Sequence, residues 1–245
     1  MIVLGLDSSA DTVSVAVVRA GDAESAADCD PLAERAWRAP RPHAEGLLPA
    51  LDATLRDAGV ELSAVALIAV ATGPGSFNGI RGGISAAQGL SLALSIPAIG
   101  IPTLDALSYT HAGRAESLYA LLPAGRGEYY GAAYAGTWDR WQRRGDYLVA
   151  ALDRHLDGLT PAVLLVGRLD ATGAAAIAAR GLATVPPCWT FGGARFVAAL
   201  AAQRRREPGF DAEASLQAVY LRRPGITQPT RARGLGAIDT AAGTA

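Results

Sequence analysis

The chain has 245 residues, 50% of them hydrophobic and 18% charged, with a net charge of −1. That balance predicts a globular protein with a proper core, built as one large domain or two small ones, and argues against a surface that grips nucleic acid over its whole extent. All 22 basic residues are arginine, which excludes a Walker loop and every lysine Schiff-base chemistry, and the two cysteines, Cys29 and Cys188, form neither a CxxC pair nor a disulfide framework, which points to a reducing cytoplasm.

Ile2 to Asp7 and Thr12 to Val18 read as strands, the second with Val13, Val15 and Val17 on one face. The polar turn Ser8-Ser9-Ala10-Asp11 joins them into a β-hairpin. The leading apolar run ends in an acid and lacks a basic lead, so no signal peptide is expected, and no apolar run reaches the length of a membrane span. A third strand is predicted at Glu34 to Ala39. Leu47, Leu48, Leu51, Leu55 and Ala58 then fall on one face of a helix, with Pro49 either kinking it or sitting in its first turn. A buried strand from Val65 to Ala71, a glycine turn, a helix over 79–95, a strand from Ala98 to Ile101 and a short helix from Thr103 complete an order βββαβαβα. In the second half, Leu118 to Leu122, Tyr129 to Tyr134 and Val163 to Val166 read as strands, and about 170–181 and 191–206 as helices. Thr137 to Arg144 has no clear form, Val219 to Leu221 reads as a last short strand or a packing anchor, and 228–245 reads as a disordered tail.

The glycine turn, Thr72-Gly73-Pro74-Gly75-Ser76-Phe77-Asn78-Gly79, links a buried strand to a helix. Gly73, Gly75 and Gly79 can aim backbone N–H groups at an anion, or simply pack helix on sheet, and both readings stay open. Along the helix, Gly82, Ala86, Gly89 and Ala93 recur at helical spacing as a stripe with almost no side chain, a face that another helix can approach closely. The adjoining residues Ile80, Ile84, Ala87 and Leu94 suit burial on the sheet. Few charges mark the rest, so the helix is expected to have neighbours on most sides, from this chain or from a partner.

Leu4-Gly5-Leu6-Asp7-Ser8-Ser9, the run from Gly73 to Arg81 and Ala218-Val219-Tyr220-Leu221-Arg222 together resemble the TsaB family, the bacterial partner subunit in threonylcarbamoyladenosine modification of tRNA. The resemblance implies an α/β, actin-like ATPase fold (the ribonuclease H-like, ASKHA class) of two lobes: 1–110 as the first, partner-binding lobe, 111–227 as a reduced second lobe, and 228–245 outside both. It implies that Asp7, Ser8 and Ser9 face nucleotide phosphates, which the anion-binding reading of Gly73 and Gly75 in the glycine turn would extend. It also implies pairing with a TsaD-like catalytic subunit through the first lobe's helices, here His43, Leu47, Leu51, Arg81, Gly82, Ala86, Gly89 and Ala93. A TsaE-like ATPase, tRNA reached through the complex, and a homodimer of the isolated chain are the further partners implied, with no membrane.

The residues themselves argue against independent catalysis. His43, followed four positions later by Leu47, does not repeat the HxxxH metal motif of the related catalytic subunit, and with His111 and His155 it makes no metal-ligand spacing. No Ser-His-Asp arrangement is visible. Where the family more often carries Asp-Ala-Arg ahead of a Gly-Glu pair, this chain reads Pro123-Ala124-Gly125-Arg126-Gly127-Glu128, with Pro123 in the place of the aspartate. Val166-Gly167-Arg168-Leu169 lacks the second small residue of a Gly-x-Gly turn and would crowd a nucleotide base. No catalytic or metal-binding residue is therefore expected, and no tightly bound cofactor, with ATP or ADP held only weakly or at the partner interface. The rival is a free-standing actin-like ATP-dependent phosphotransferase, with Asp7 and Glu128 as a carboxylate pair across the cleft. Two surfaces suggest RNA contact as against plain packing and solvation: Tyr129, Tyr130, Tyr134, Trp138 and Trp141 beside Arg140, Arg143 and Arg144, and the arginines of 204–233. Arg81, near a helix start, is expected to meet an acid or phosphate, a carboxylate from a partner.

Overall fold

The structure, a computed structural model, describes residues 1–21, 29–39, 46–114, 116–186, 190 and 192–221. Its backbone is two five-stranded mixed sheets, one per lobe. The first holds β1 (Ile2–Asp7), β2 (Thr12–Ala20), β3 (Cys29–Arg38), β4 (Val65–Ala71) and β5 (Ala98–Ile101) in the order β3-β2-β1-β4-β5. β2 runs antiparallel to both β1 and β3, while β4 pairs parallel with β1 and β5 parallel with β4. The hairpin and the βββαβαβα order expected from the sequence are both present. β2 is buried on both faces. Val13, Val15 and Val17 face α1 (Leu47–Ala58) in a core cluster that also takes in α2 (Phe77–Leu94), whereas Ala16 and Val18 meet a helix from the far end of the chain.

Local chemistry explains where these helices begin and end. Pro49 is the third residue of α1, inside the first turn, where its missing N–H has no intrahelical partner to lose. Gly59 closes α1 in the left-handed conformation at φ 63°. α2 starts two residues before the expected Gly79, because Ser76 supplies the N-cap and its hydroxyl accepts from the Gly79 N–H. α3 (Thr103–Tyr109) follows β5 and leads into the second lobe.

The second sheet has the order β10-β9-β6-β7-β8, from β6 (Ser117–Gly125), β7 (Glu128–Ala135), β8 (Gln142–Ala151), β9 (Leu164–Gly167) and β10 (Ala183–Thr184). The segment of unclear form, 137–144, is a short 3₁₀ turn at Trp138–Arg140 followed by the start of β8. β8 is an edge strand and mostly exposed, so no apolar alternation marked it. α4 (Leu152–Leu156) and α5 (Ala171–Ala179) belong to this lobe.

The chain then returns. α6 (Gly193–Arg204) packs on β1, β2 and β4, covering the face of the first sheet that α1 and α2 leave bare, and α7 (Ala212–Ser215) lies against β5. Eight of the twelve residues of α6 are buried, and its alanines permit an approach so close that a Cβ on Gly5 would run into the Ala194 carbonyl. Sequence order places 111–227 in one lobe, yet in space α6, α7 and the residues after them complete the first. Val219 to Leu221 forms no strand and serves as the packing anchor: the Val219 N–H donates to the Thr72 carbonyl at 2.8 Å, and the Tyr220 ring lies 5.3 Å from that of Phe77. The tail at 228–245 lies outside the described residues. Among the described residues, no helix is long and apolar enough to cross a membrane.

Candidate functional site

Asp7 ends β1 and is 8% exposed. Its Oδ1 accepts from the Ser9 N–H at 2.9 Å and the Ser9 hydroxyl at 2.6 Å. Burial pushes the carboxyl pKa up; the Ser9 hydrogen bonds and the Arg168 charge pull it back only in part. The Ser8 hydroxyl donates to the Gly79 carbonyl at 2.8 Å, and the Ser76 N–H donates to the Ser9 carbonyl at 2.7 Å. The hairpin turn and the glycine turn are thus in direct contact. A Cβ on Gly75 would collide with the Ser9 carbonyl, and Gly73, at φ 99°, presents its carbonyl to the Thr103 N–H at 2.7 Å. Asp7, Ser8, Ser9, Gly73 and Gly75 do come together, and the close-packing reading of the glycine turn accounts for each of the bonds just described.

A cavity of about 330 Å³ opens at this junction, between Ser9, Ala10, Asp11 and the turn Pro74-Gly75-Ser76 of the first lobe and Leu122, Pro123 and Arg168 of the second. It is the place where the resemblance puts phosphates. Its wall on the second lobe is apolar and cationic: Pro123 stands where the family's aspartate would be, and Arg168 brings a positive charge toward Asp7. Glu128 begins β7 opposite Gly125 and is not part of this lining. Among the described residues, no group of three or more His, Cys, Asp or Glu side chains is placed to hold a metal ion.

The helix faces form the second candidate surface. α1 and α2 lie on the same side of the first sheet, and both contribute to one core cluster. Leu47 and Leu51, expected at a partner interface, are 1% and 5% exposed and pack on β2 and β3, so α1 offers Leu48, Asp52 and Arg56 outward instead. The small stripe of α2 faces out: Gly82 and Ala86 are half-buried, Gly89 and Ala93 are exposed, and nothing lies within 4 Å of a Cβ built on Gly89. Leu92, beside it, is 83% exposed. α2 packs on β1, β4 and β5, and among the described residues its outer face meets no further element, so the expected second neighbour is not found there. Arg81 is exposed, with its guanidinium 5.1 Å from the Phe77 ring centre in a cation–π contact within the same helix. His43 lies outside the described residues.

The aromatic segment sorts mostly to packing. Tyr134 and Trp141 are buried and stacked with ring centres 6.4 Å apart, whereas Trp138 is 39% exposed. Of the C-terminal arginines, Arg204 pairs with buried Asp105 and Arg206 donates to the Gly21 carbonyl, while Arg222, Arg223, Arg231 and Arg233 lie outside the described residues. Sequence reasoning missed Asp105 altogether, because its partners come from β7, β8 and α6, far along the chain.

A family model described as "TsaD: tRNA N6-adenosine threonylcarbamoyltransferase" matches residues 37–178, more than half of the chain. The tRNA threonylcarbamoyladenosine biosynthesis protein TsaB of Escherichia coli is 32% identical over 136 residues, 55% of each chain, and that of Haemophilus influenzae is 33% identical over 129 residues, 52% of this chain and 51% of the relative. The chain therefore spans about half the length of the curated relatives it matches. The solved structure of YeaZ from Pseudomonas aeruginosa superposes with a TM-score of 0.71 at 28% identity, covering 90% of this chain and 99% of that one. These similarities agree with the motifs and with the two-lobed, actin-like α/β fold, and the chain belongs to the TsaD family of tRNA N6-adenosine threonylcarbamoyltransferases, as a TsaB/YeaZ-like member.

Proposed function

We propose that this chain is a non-catalytic scaffold and activator subunit in tRNA threonylcarbamoyladenosine biosynthesis. It pairs with a TsaD-like transferase that modifies the adenosine next to the anticodon of tRNAs reading ANN codons. The observation that carries the reading is the outer face of α2, where Gly89 and Ala93 lie open beside a Leu92 that is 83% exposed. An isolated leucine on a surface needs no explanation, but a leucine bordering a strip of glycine and alanine gives a partner helix both a knob and a groove. Arg81, over Phe77, is free to turn toward a partner carboxylate at one end of the same face.

The cleft supports the absence of independent catalysis. Phosphoryl transfer needs acidic side chains that hold metal against the phosphates. Here the cavity lining holds a single acid, Asp11 of the first lobe, the second lobe faces it with Leu122, Pro123 and Arg168, and the Ser9 hydroxyl and amide are already committed to Asp7. This favours the scaffold over the free-standing phosphotransferase and makes any ATP or ADP weakly held or placed at the partner interface. A TsaE-like ATPase and tRNA join through the complex in the cytoplasm, and the α2 face supports a homodimer when the catalytic subunit is absent.

The test is light scattering on size-exclusion fractions of this chain alone and mixed with its organism's TsaD-like subunit, followed by an ATP- and tRNA-dependent modification assay. A new heterocomplex, with activity absent from either component, is expected. A chain that stays unpaired yet hydrolyses ATP would make it an independent enzyme.

A further inference from the structure

Asp105, in the first turn of α3, is 6% exposed and collects donors from three other elements. Its Oδ1 accepts from the Tyr134 hydroxyl of β7 at 2.7 Å and the Tyr147 hydroxyl of β8 at 2.8 Å, both in the second lobe. Its Oδ2 pairs with the guanidinium of Arg204 on α6, the helix that covers the first sheet. Burial, and after it the Asp105 charge, pushes both tyrosine pKa values up, so the hydroxyls remain donors across the physiological range. Two more bonds run alongside: Trp141 Nε1–H donates to the Ser108 hydroxyl of α3 at 2.9 Å, and Gln203 of α6 donates to the Asp139 carbonyl at 2.7 Å. In the same first turn as Asp105, α3 is tied to the glycine turn through the Thr103 N–H and the Gly73 carbonyl.

We infer that Asp105 is the pin of a latch between the lobes, which fixes α3, and through it the glycine turn, so that the cleft is held at one width. Two-lobed folds close by rotation about a few residues that absorb the change. Rotation here would pull the tyrosines and Arg204 apart and leave a buried carboxylate or guanidinium unpaired, a heavy cost. The lobes then present the α2 face and the second sheet to a partner as one rigid body. The inference goes beyond the scaffold reading and does not depend on it.

The test is a distance distribution between spin labels on Glu61→Cys in the first lobe and Ala175→Cys on α5, in a Cys29→Ser, Cys188→Ser background, with hydrogen exchange on β8 as a second readout. A single narrow distance is expected for the parent, unchanged by added ATP. Tyr147→Phe keeps the ring and removes one donor; it should at least double the width of the distribution and speed β8 exchange about tenfold or more. Asp105→Asn should broaden it further, and where that variant does not fold, Tyr147→Phe decides alone. A parent distribution that is already broad, or a Tyr147→Phe distribution as narrow as the parent's, even with faster exchange, would overturn the latch and reduce the network to local packing.

Discussion

Asp7 is a carboxyl group in a place that disfavours its charge, and its own hydrogen bonds say how to relieve it. Both donors reach the same oxygen, Oδ1, and an asparagine side chain can accept both there. The folded pKa is raised above the ordinary 3.8, so the folded state binds the proton more tightly than the unfolded chain. Stability from this group is therefore full below 3.8 and is lost as pH rises through the folded value. Asp7→Asn is expected to raise the melting temperature near neutral pH, by about 2–4 °C for each kcal/mol recovered, and to gain nothing near pH 3. Thermal melts of both proteins across that pH range check it. A variant that melts lower at pH 7 would mean that the ionised carboxylate is itself held by something in the cleft, and the nucleotide-site reading of Asp7 would regain weight.

At the scale of elements, α2 carries the argument because its two faces do different work. Ile80, Ile84 and Ala87 seal the sheet, and the outer stripe is open. Gly89→Leu adds a side chain into empty space and replaces a poor helix former with a good one, so the monomer should melt at the same temperature or higher, by up to about 1 kcal/mol of stability. The same side chain should fill the groove a partner needs and weaken binding to the TsaD-like subunit between about fivefold and a hundredfold or more, an overpacking cost of about 1–3 kcal/mol. Calorimetric titration against that subunit reads the loss, and wild-type affinity would remove α2 from the interface. Much of this element was legible beforehand: the periodicity of 79–95 separated the sheet-facing apolar residues from the small stripe. What periodicity does not carry is which side remains open, because that depends on where α1 and α6 come to rest. The buried Leu47 and Leu51 show the same limit, since an apolar helix face reads alike whether it seals a sheet or meets a partner. β8 was illegible for another reason: an edge strand with solvent on most of its residues has no apolar alternation to read.

At the scale of the whole molecule, the chain folds back on itself. The first sheet, whose strands all come from residues 2–101, depends for one of its faces on a helix near residue 200. Val3, Ala16, Val18, Leu67 and Ala69 are each at most 1% exposed in the cluster that includes Val197, Ala198 and Leu200 of α6. α1 and α2 lie on the opposite face, and α6 is the helix that packs on β1, β2 and β4 here. A two-layer lobe cut from residues 1–186 would therefore present an uncovered apolar sheet face to water, an aggregation-prone surface. Truncation after Pro186 is expected to give a protein that aggregates or lacks a cooperative thermal transition. Truncation after Leu221 keeps α6 and the bond from Val219 to Thr72, and should melt within a few degrees of the full chain. Circular dichroism melts of the two truncations, beside the full chain, separate the cases. If residues 1–186 were to unfold cooperatively at the full chain's temperature, α6 would be an accessory of the first lobe instead of one of its layers. The latch at Asp105 would then join the second lobe to a helix that the first lobe does not need.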